Sequence, residues 1–225
     1  MALIVRFLTL YSLCFSSLVF AYQVIPMYQS LEIAGNKSRS SYQITNTRPK
    51  DALVEIKVFE VEFTSNGESL TPADSDFLIL PPQLYIEPGR RQTVRMRYLG
   101  SEEIKETHIY RVIFSEVKTQ DQEKEKGGVE LLLEFSTVVF VSPHECSFKV
   151  RSWVKDSKVH FSNSGNCVVD LSRLRFELSN KNDDKRVYWH EINTTNLSSY
   201  LVPGRDKVVS LTGEFSRYDG IEVSE

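Results

Sequence analysis

Apolar residues recur at every second position in several segments after residue 21, and this period of two constrains the fold more than any other sequence feature. The segments are rich in β-branched and aromatic residues, and they span residues 53–63, 93–98, 109–117 and 129–141. Such residues favour strands, because their side chains pack well on a pleated, half-buried surface. The sequence has no long helical stripe, so the pattern predicts an all-β chain.

Turn-forming residues separate these segments at fairly regular intervals. The clearest signals are Gly35-Asn36, Pro81-Pro82, Pro88-Gly89, Gly127-Gly128 and Pro203-Gly204. Short strands that recur about every ten residues with turn signals between them are typical of β-sandwiches. Within residues 53–63 the apolar phase changes near Val58-Phe59, which predicts a β-bulge or a strand that passes between two sheets.

A domain boundary is predicted near Ser142-Pro143-His144. Roughly 120 residues precede it, counted from residue 22, and roughly 80 follow, and each part is the size of one Ig-like sandwich. We therefore expect an N-terminal domain over residues 22–143 and a C-terminal domain over residues 144–225.

The first 21 residues have the pattern of a secretory signal peptide. Arg6 precedes an apolar run over residues 7–20, and the run ends in Val19-Phe20-Ala21, a small-x-small cleavage pattern. The alternative is a transmembrane anchor, which the short run and its Ser and Thr residues disfavour. The sequence thus predicts a signal peptide over residues 1–21 and an exported protein.

The cysteines fit an oxidising compartment. Cys14 leaves with the predicted signal peptide, and Cys146 and Cys167 remain as a pair, which is most simply a disulfide. Free or catalytic thiols are the alternatives. The four histidines are scattered and no metal-ligand spacing is present, so no metal site is expected.

Charge and motifs exclude several function classes. Lys+Arg 27 against Asp+Glu 30 gives a net charge of −3, which does not suit charge-driven binding of nucleic acid. No Gly-x-Ser-x-Gly or Walker-type sequence is present. We therefore expect no catalytic residues, no cofactor and no ATP.

The segment 129–141 carries a strongly apolar face. Its odd positions begin Val129, Leu131, Leu133 and Phe135, whereas the even positions begin with Glu130. This face can pack into the domain's own core. If the strand lies at an open sheet edge, it can instead be added to the sheet of another chain.

Several segments together resemble a periplasmic pilus-assembly chaperone of the PapD-like superfamily. They are residues 77–83 (FLILPPQ), 86–97 (IEPGRRQTVRMR), 109–117 (IYRVIFSEV) and the long strand that ends at Pro143. Two of them, 86–97 and 109–117, look more like the alternative and archaic branches. The resemblance implies two Ig-like β-sandwich domains arranged as an L or boomerang. It also implies that the first domain holds a pilin subunit that lacks its last strand, and that the subunit passes to an outer-membrane usher.

The same resemblance assigns the binding residues. Counted back from Pro143, the donor side chains are Val129, Leu131, Leu133 and Phe135. The Arg and Lys that usually hold the pilin's terminal carboxylate fall near Ser30 and Val138, and neither is basic. Arg111 is the candidate anchor, because it is a charge within an apolar strand. The alternative is that Arg111 forms an intramolecular ion pair.

The sequence therefore predicts a periplasmic chaperone that caps pilin subunits, completes their fold by strand donation and delivers them to an usher. The first rival is a secreted Ig-like adhesive or structural module, in which the long strand is buried by its own sheet. The second rival is an exported hydrolase on a sandwich scaffold, which needs a convergent polar pocket.

Overall fold

The computed structural model describes residues 22–64, 67–118, 132–195 and 197–224. The predicted signal peptide, residues 1–21, lies outside these ranges. Two of the predicted donor positions, Val129 and Leu131, also lie outside them.

The described residues are almost entirely strands. The first group is β1 (Tyr22–Ile25), β2 (Tyr28–Glu32), β3 (Arg39–Asn46), β4 (Ala52–Thr64), β5 (Gly67–Pro72), β6 (Phe77–Leu80), β7 (Gln83–Ile86), β8 (Arg91–Tyr98), β9 (His108–Val117) and β10 (Glu134–Ser142). The second group is β11 (Val150–Lys155), β12 (Lys158–Asn163), β13 (Val169–Asp170), β14 (Arg175–Ser179), β15 (Asp184–Tyr188), β16 (Tyr200–Leu201), β17 (Asp206–Ser210) and β18 (Gly220–Ser224). The α-helix α1 (Trp189–Ile192) is a single turn. The predicted all-β class is confirmed.

The first ten strands form one sandwich. One sheet has the order β1-β3-β8-β6, and the other has the order β2-β10-β9-β4-β5 with β7 also paired to β4. Inward-facing residues alternate with outward-facing residues along the strands, as the period of two predicts. The core between the sheets includes the fully buried side chains of Tyr22, Tyr42, Ile44, Ile86 and Phe114.

The predicted bulge or sheet switch in residues 53–63 is wrong. β4 keeps one continuous register with β9, from Leu53 to Glu60, and stays in its sheet. On its other edge β4 changes partner from β7 to β5. At this change the backbone N–H of Val58 donates to Asp74 Oδ1 at 3.0 Å. The change in apolar phase therefore marks a change of neighbouring strand.

The remaining strands surround a second core. Their sheets have the orders β11-β12-β17, β13-β16 and β15-β14-β18. The second core runs from Val159 to Ile221, whereas the first core runs from Tyr22 to Val141, so the two share no residue. The domain bounds 22–143 and 144–225 stay a prediction.

The predicted disulfide is confirmed. Cys146 and Cys167 are bonded and close a loop of sequence separation 21. The bond ties the segment that enters the second sandwich to the segment after β12, beside the buried Asn163, whose Nδ2 donates to the Cys167 carbonyl oxygen at 2.9 Å.

Replacing both Cys146 and Cys167 by Ser should lower the free energy of unfolding by about 3 kcal/mol, because the open chain gains loop entropy when it unfolds. Urea denaturation of the oxidised parent and of the double variant measures this difference. Equal unfolding midpoints with equal slopes would contradict it.

Candidate partner-binding site

The start of β10 lies at an open sheet edge. β10 pairs with β9 along its length, from Glu134 to Val141. On its other side β2 pairs with it in parallel, but only from Val138 to Ser142. The chain before β2 runs in the opposite sheet as β1 and crosses over at Pro26. In the described part of the chain, no strand therefore covers residues 134–137 on this side.

Hydrogen bonds show which backbone groups face the open side. The N–H of Val138 donates to the carbonyl oxygen of Met27 in the connection to β2, at 2.9 Å. The N–H of Glu116 donates to the carbonyl oxygen of Leu133 on the β9 side, also at 2.9 Å. Because these directions alternate along an antiparallel strand, the N–H and C=O groups of Glu134 and Ser136 point to the open side. Such a row of groups is a template for an added strand.

The side chains of Leu133 and Phe135 lie at the margin of the first core. Both are partly buried against it. The Phe135 ring meets the Tyr22 ring edge to face, with 4.6 Å between centroids. Leu132, on the opposite face of the chain, is 40% exposed. The odd-numbered face is therefore continuous with the domain's own core and half-buried where the edge is open.

The odd-numbered face becomes fully buried at Thr137. Its hydroxyl donates to the Val112 carbonyl oxygen at 3.1 Å and accepts from Tyr42 Oη at 2.9 Å. Burial raises the pKa of Tyr42 to about 12, so this phenol remains a neutral donor. From Thr137 to Val141 the strand is thus buried in its own sandwich, and within β10 only Glu134, Phe135 and Ser136 combine an open edge with exposure to solvent.

Arg111 lies on the outward face of the same sheet. It is directly opposite Val138 on β10 and opposite Phe59 on β4. Arg111 on β9 therefore lies one strand away from Val138, the position to which the sequence resemblance assigned the usual Lys. The other position, Ser30 on β2, is exposed and opposite Phe140.

Arg111 is engaged by a carboxylate within the chain. Its Nη2 donates to Glu68 Oε1 at 2.8 Å, and its Nε donates to Glu68 Oε2 at 3.2 Å. The Arg111 side chain is 26% exposed and that of Glu68 is 37% exposed. This is the intramolecular pair that the sequence left as the alternative. Glu68 could not be named from sequence, because β5 meets β9 only through β4.

The second sandwich approaches this face through aromatic rings. Tyr200 stacks on Tyr28 with 5.0 Å between centroids, and its ring lies 4.9 Å from that of Phe140. Nearby, the Arg205 guanidinium lies 4.4 Å from the centre of the Phe63 ring. A cleft of about 410 Å³ opens here, lined by residues 60–63, 106–109 and 202–205, except Gly204.

Hydrogen bonds of Asn166 and Thr107 join the two sandwiches, and each bond has a backbone group on at least one side. The Thr107 N–H donates to the Asn166 carbonyl oxygen at 2.9 Å. Asn166 Nδ2 donates to the carbonyl oxygens of Lys105 at 3.2 Å and Glu145 at 2.9 Å. The Val168 N–H donates to Thr107 Oγ1 at 3.0 Å. These bonds fix one end of the cleft.

The described ranges hold neither a candidate membrane span nor a candidate metal site. No helix there is long and apolar enough to cross a membrane. No group of three His, Cys, Asp or Glu side chains in the same ranges could hold a metal ion.

Proline substitutions test the open edge. Ser136→Pro should change the free energy of unfolding by less than about 1 kcal/mol relative to Ser136→Ala, because its N–H faces the open side. Thr137→Pro should cost about 3 kcal/mol or more relative to Thr137→Ala, because its N–H belongs to the β9 ladder. Denaturant unfolding of the four variants measures both differences. Equal costs at the two positions would contradict the open edge.

The part of the chain that forms the first sandwich matches a known protein family. Residues 24–147 match the family described as the pili and flagellar-assembly chaperone, PapD N-terminal domain. The probable fimbrial chaperone EcpE of Escherichia coli strain K12 is 28% identical over 138 residues, which cover 58% of this chain and 57% of EcpE. The match thus spans little more than half of that relative.

Solved structures show the same fold across nearly the whole chain. The Class 5 fimbriae chaperone CfaA superposes with a TM-score of 0.57 at 13% identity, covering 91% of this chain and 98% of CfaA. The E. coli chaperone DraB has a TM-score of 0.56 at 15% identity, covering 92% of this chain and 96% of DraB. A chain from the complex of the Salmonella enterica SafA pilin with the SafB chaperone has a TM-score of 0.55 at 15% identity, covering 93% of this chain and 98% of that chain.

These likenesses confirm the predicted two-domain β-sandwich fold and the resemblance drawn from the sequence segments. The family match covers more than half of the chain and includes β2, β9 and β10, the strands that build the open edge. The protein therefore belongs to the family of pili and flagellar-assembly chaperones with a PapD N-terminal domain.

Proposed function

We propose that this protein is a periplasmic chaperone that caps pilin subunits by strand donation and delivers them to an outer-membrane usher. The observation that carries the proposal is the open side of residues 134–137, next to which the side chains of Leu133 and Phe135 are only partly buried. The family and the named relatives support it, since EcpE is a probable fimbrial chaperone and SafB is a chaperone in complex with a pilin.

The proposed donor side chains are Val129, Leu131, Leu133 and Phe135. Leu133 and Phe135 already share one face at the margin of the core. The alternation of the sequence extends this face to Leu131 and Val129. An added strand would gain backbone hydrogen bonds along the open side, and the alternate side chains would enter pockets of the subunit. Full burial of each such side chain is worth about 2 kcal/mol.

Arg111 is the proposed anchor for the subunit's terminal carboxylate. Its guanidinium already holds one carboxylate in a bidentate arrangement, that of Glu68. Because this pair is partly exposed, it contributes little to the free energy of folding. Replacing the Glu68 carboxylate by another carboxylate would therefore cost little free energy. The terminal carboxylate of a subunit would then take the position of Glu68.

The predicted signal peptide and the disulfide support the proposed periplasmic location. A protein with a signal peptide and a disulfide belongs in an oxidising compartment such as the periplasm. Release would need neither cofactor nor ATP, because exchange for a better-fitting strand supplies the free energy. The rival function, an adhesive module, requires the long strand to be covered by its own sheet, and the open side of residues 134–137 argues against it.

Strand donation predicts the outcome of a pull-down from the periplasm of the host. The tagged chain should capture one Ig-sized secreted subunit in a 1:1 ratio. Replacing both Leu131 and Leu133 by Glu should abolish capture, because two carboxylates would enter apolar pockets. The matched control is Leu132→Glu, which places the same charge on the opposite, exposed face.

Mass spectrometry identifies the captured protein, and circular dichroism establishes that each variant is folded. Capture that is unaffected by the double substitution, or lost equally in Leu132→Glu, would rule out donation through the odd-numbered face.

The anchor predicts a second, separate effect. Arg111→Met should weaken subunit binding about 30-fold, the range expected for loss of a charge-assisted hydrogen-bonded pair. Glu68→Gln should bind at least as tightly as the parent, because it removes the competing carboxylate. Calorimetric titration with a subunit, and with the same subunit amidated at its C-terminus, measures these effects. If Arg111→Met weakens the amidated subunit equally, Arg111 does not bind the terminal carboxylate.

A further inference from the structure

A buried ion pair lies beside the start of β10. Arg48, in the turn after β3, donates through Nη2 to Glu116 Oε1, on the core-facing side of β9. The Glu116 side chain is 2% exposed and that of Arg48 is 17% exposed. The turn that carries Arg48 is itself fixed, because the Arg48 N–H donates to Asn46 Oδ1 at 3.0 Å and Asn46 Nδ2 donates to the Ile86 carbonyl oxygen at 2.9 Å.

Glu116 holds both backbone groups of Leu133. The Leu133 N–H donates to Glu116 Oε2 at 3.3 Å, and the Leu133 carbonyl oxygen accepts from the Glu116 N–H at 2.9 Å. Tyr22 adds a third contact, because its Oη lies 3.0 Å from the Leu133 carbonyl oxygen and 2.6 Å from that of Phe114. Burial, and then the negative charge of Glu116, raise the pKa of Tyr22, so its hydroxyl remains protonated and able to donate.

Such a pair is a poor source of stability. The cost of removing two charges from water offsets most of their attraction, and apolar residues of similar size are often as stable in the same place. The best-attested use of a buried polar group is to specify one arrangement among several. Here the arrangement that it specifies is the register of Leu133 opposite Glu116.

The register matters most at this residue. A shift of one residue at the start of the strand would turn Leu132 and Glu134 toward the core and Leu133 and Phe135 away from it. Farther along, the buried side chains of Val139 and Val141 hold the strand in place. At residues 132–135 β2 is absent on one side, so fewer contacts oppose a shift.

We propose that Arg48, Glu116 and Tyr22 form a register lock, a set of positioning residues that fixes which side chains at the start of β10 face a bound subunit. The lock is a property of the free chain, and its effect on subunit binding rests on the proposed function. Arg48 and Glu116 act through the backbone of Leu133 and need not touch the subunit.

Cross-strand disulfide trapping measures the register directly. Glu134 faces Ser115 in the present register, so Cys residues at these two positions should form a disulfide in the parent chain. Cys at 133 or 135 paired with Cys at 115 reports a shift of one residue. Cys residues at Phe140 and Ile109, which face each other farther along β10, provide an internal control.

The lock is removed by Arg48→Met with Glu116→Leu, which replaces both charged side chains by apolar ones of similar size. The ratio of the 134–115 disulfide to the shifted disulfides should then fall about fivefold, the change in an equilibrium constant that one typical net hydrogen bond produces. Trapping of the shifted pairs should rise, and that of the 140–109 pair should stay constant. Tyr22→Phe, which keeps the ring against Phe135, is a milder variant should the double variant fail to fold. It should reduce trapping of the 134–115 pair in the same direction.

Lys185→Met with Glu214→Leu removes a surface ion pair of 2.8 Å in the second sandwich and should change none of these yields. Equal trapping of the 134–115 pair in all backgrounds would overturn the lock.

Subunit capture separates the register lock from the proposed chaperone function. If the parent captures no subunit while trapping changes as expected, the proposed function fails and the lock remains. If trapping shifts and capture is unchanged, the lock has no role in binding.

Discussion

The parallel pairing of β2 with β10 stops at Val138, and the proposed binding edge depends on this limit. The first strand could have covered the whole of β10 if it had stayed in one sheet. Instead β1 pairs with β3 in the opposite sheet, and the chain crosses over at Pro26 before β2 begins. Because of this crossing, no strand among the described residues lies beside residues 134–137 on that side.

An open edge next to a half-buried apolar face is a hazard for a free protein, because any exposed strand can add to it. The flanking residues limit this hazard. Glu134 places a charge at the edge, and its carboxylate accepts from Ser115 Oγ at 2.9 Å. The outward face beside the edge carries the Arg111–Glu68 pair in place of a continuous apolar surface. For the proposed strand donation, a partner would need both an apolar groove and a fitting carboxylate, which favours one class of ligand over unspecific aggregation.

The open edge gives a physical reason for the buried Arg48–Glu116 ion pair in the first core. Stability alone would be served equally well by apolar side chains at Arg48 and Glu116. A strand with neighbours on both sides is held in register by its hydrogen bonds and its burial. In the part of the chain that the structure describes, the start of β10 is paired on the β9 side alone, and the contacts of Glu116 and Tyr22 with Leu133 supply part of the constraint that β2 would otherwise provide.

The sequence by itself determined the class of fold, the disulfide and the apolar phase of β10. Alternation and turn residues are local signals, so strands could be read from them, and the two cysteines after the predicted signal peptide allow one simple pairing. The sequence failed at residues 53–63, where a change of neighbour resembled a bulge, because a strand's partners are not encoded in its own pattern. Tertiary structure alone decided which side of β10 is open and which carboxylate meets Arg111. It also decided that Glu116 lies buried against Leu133. Each of these depends on contacts between strands distant in the chain, and residue spacing carries no record of them.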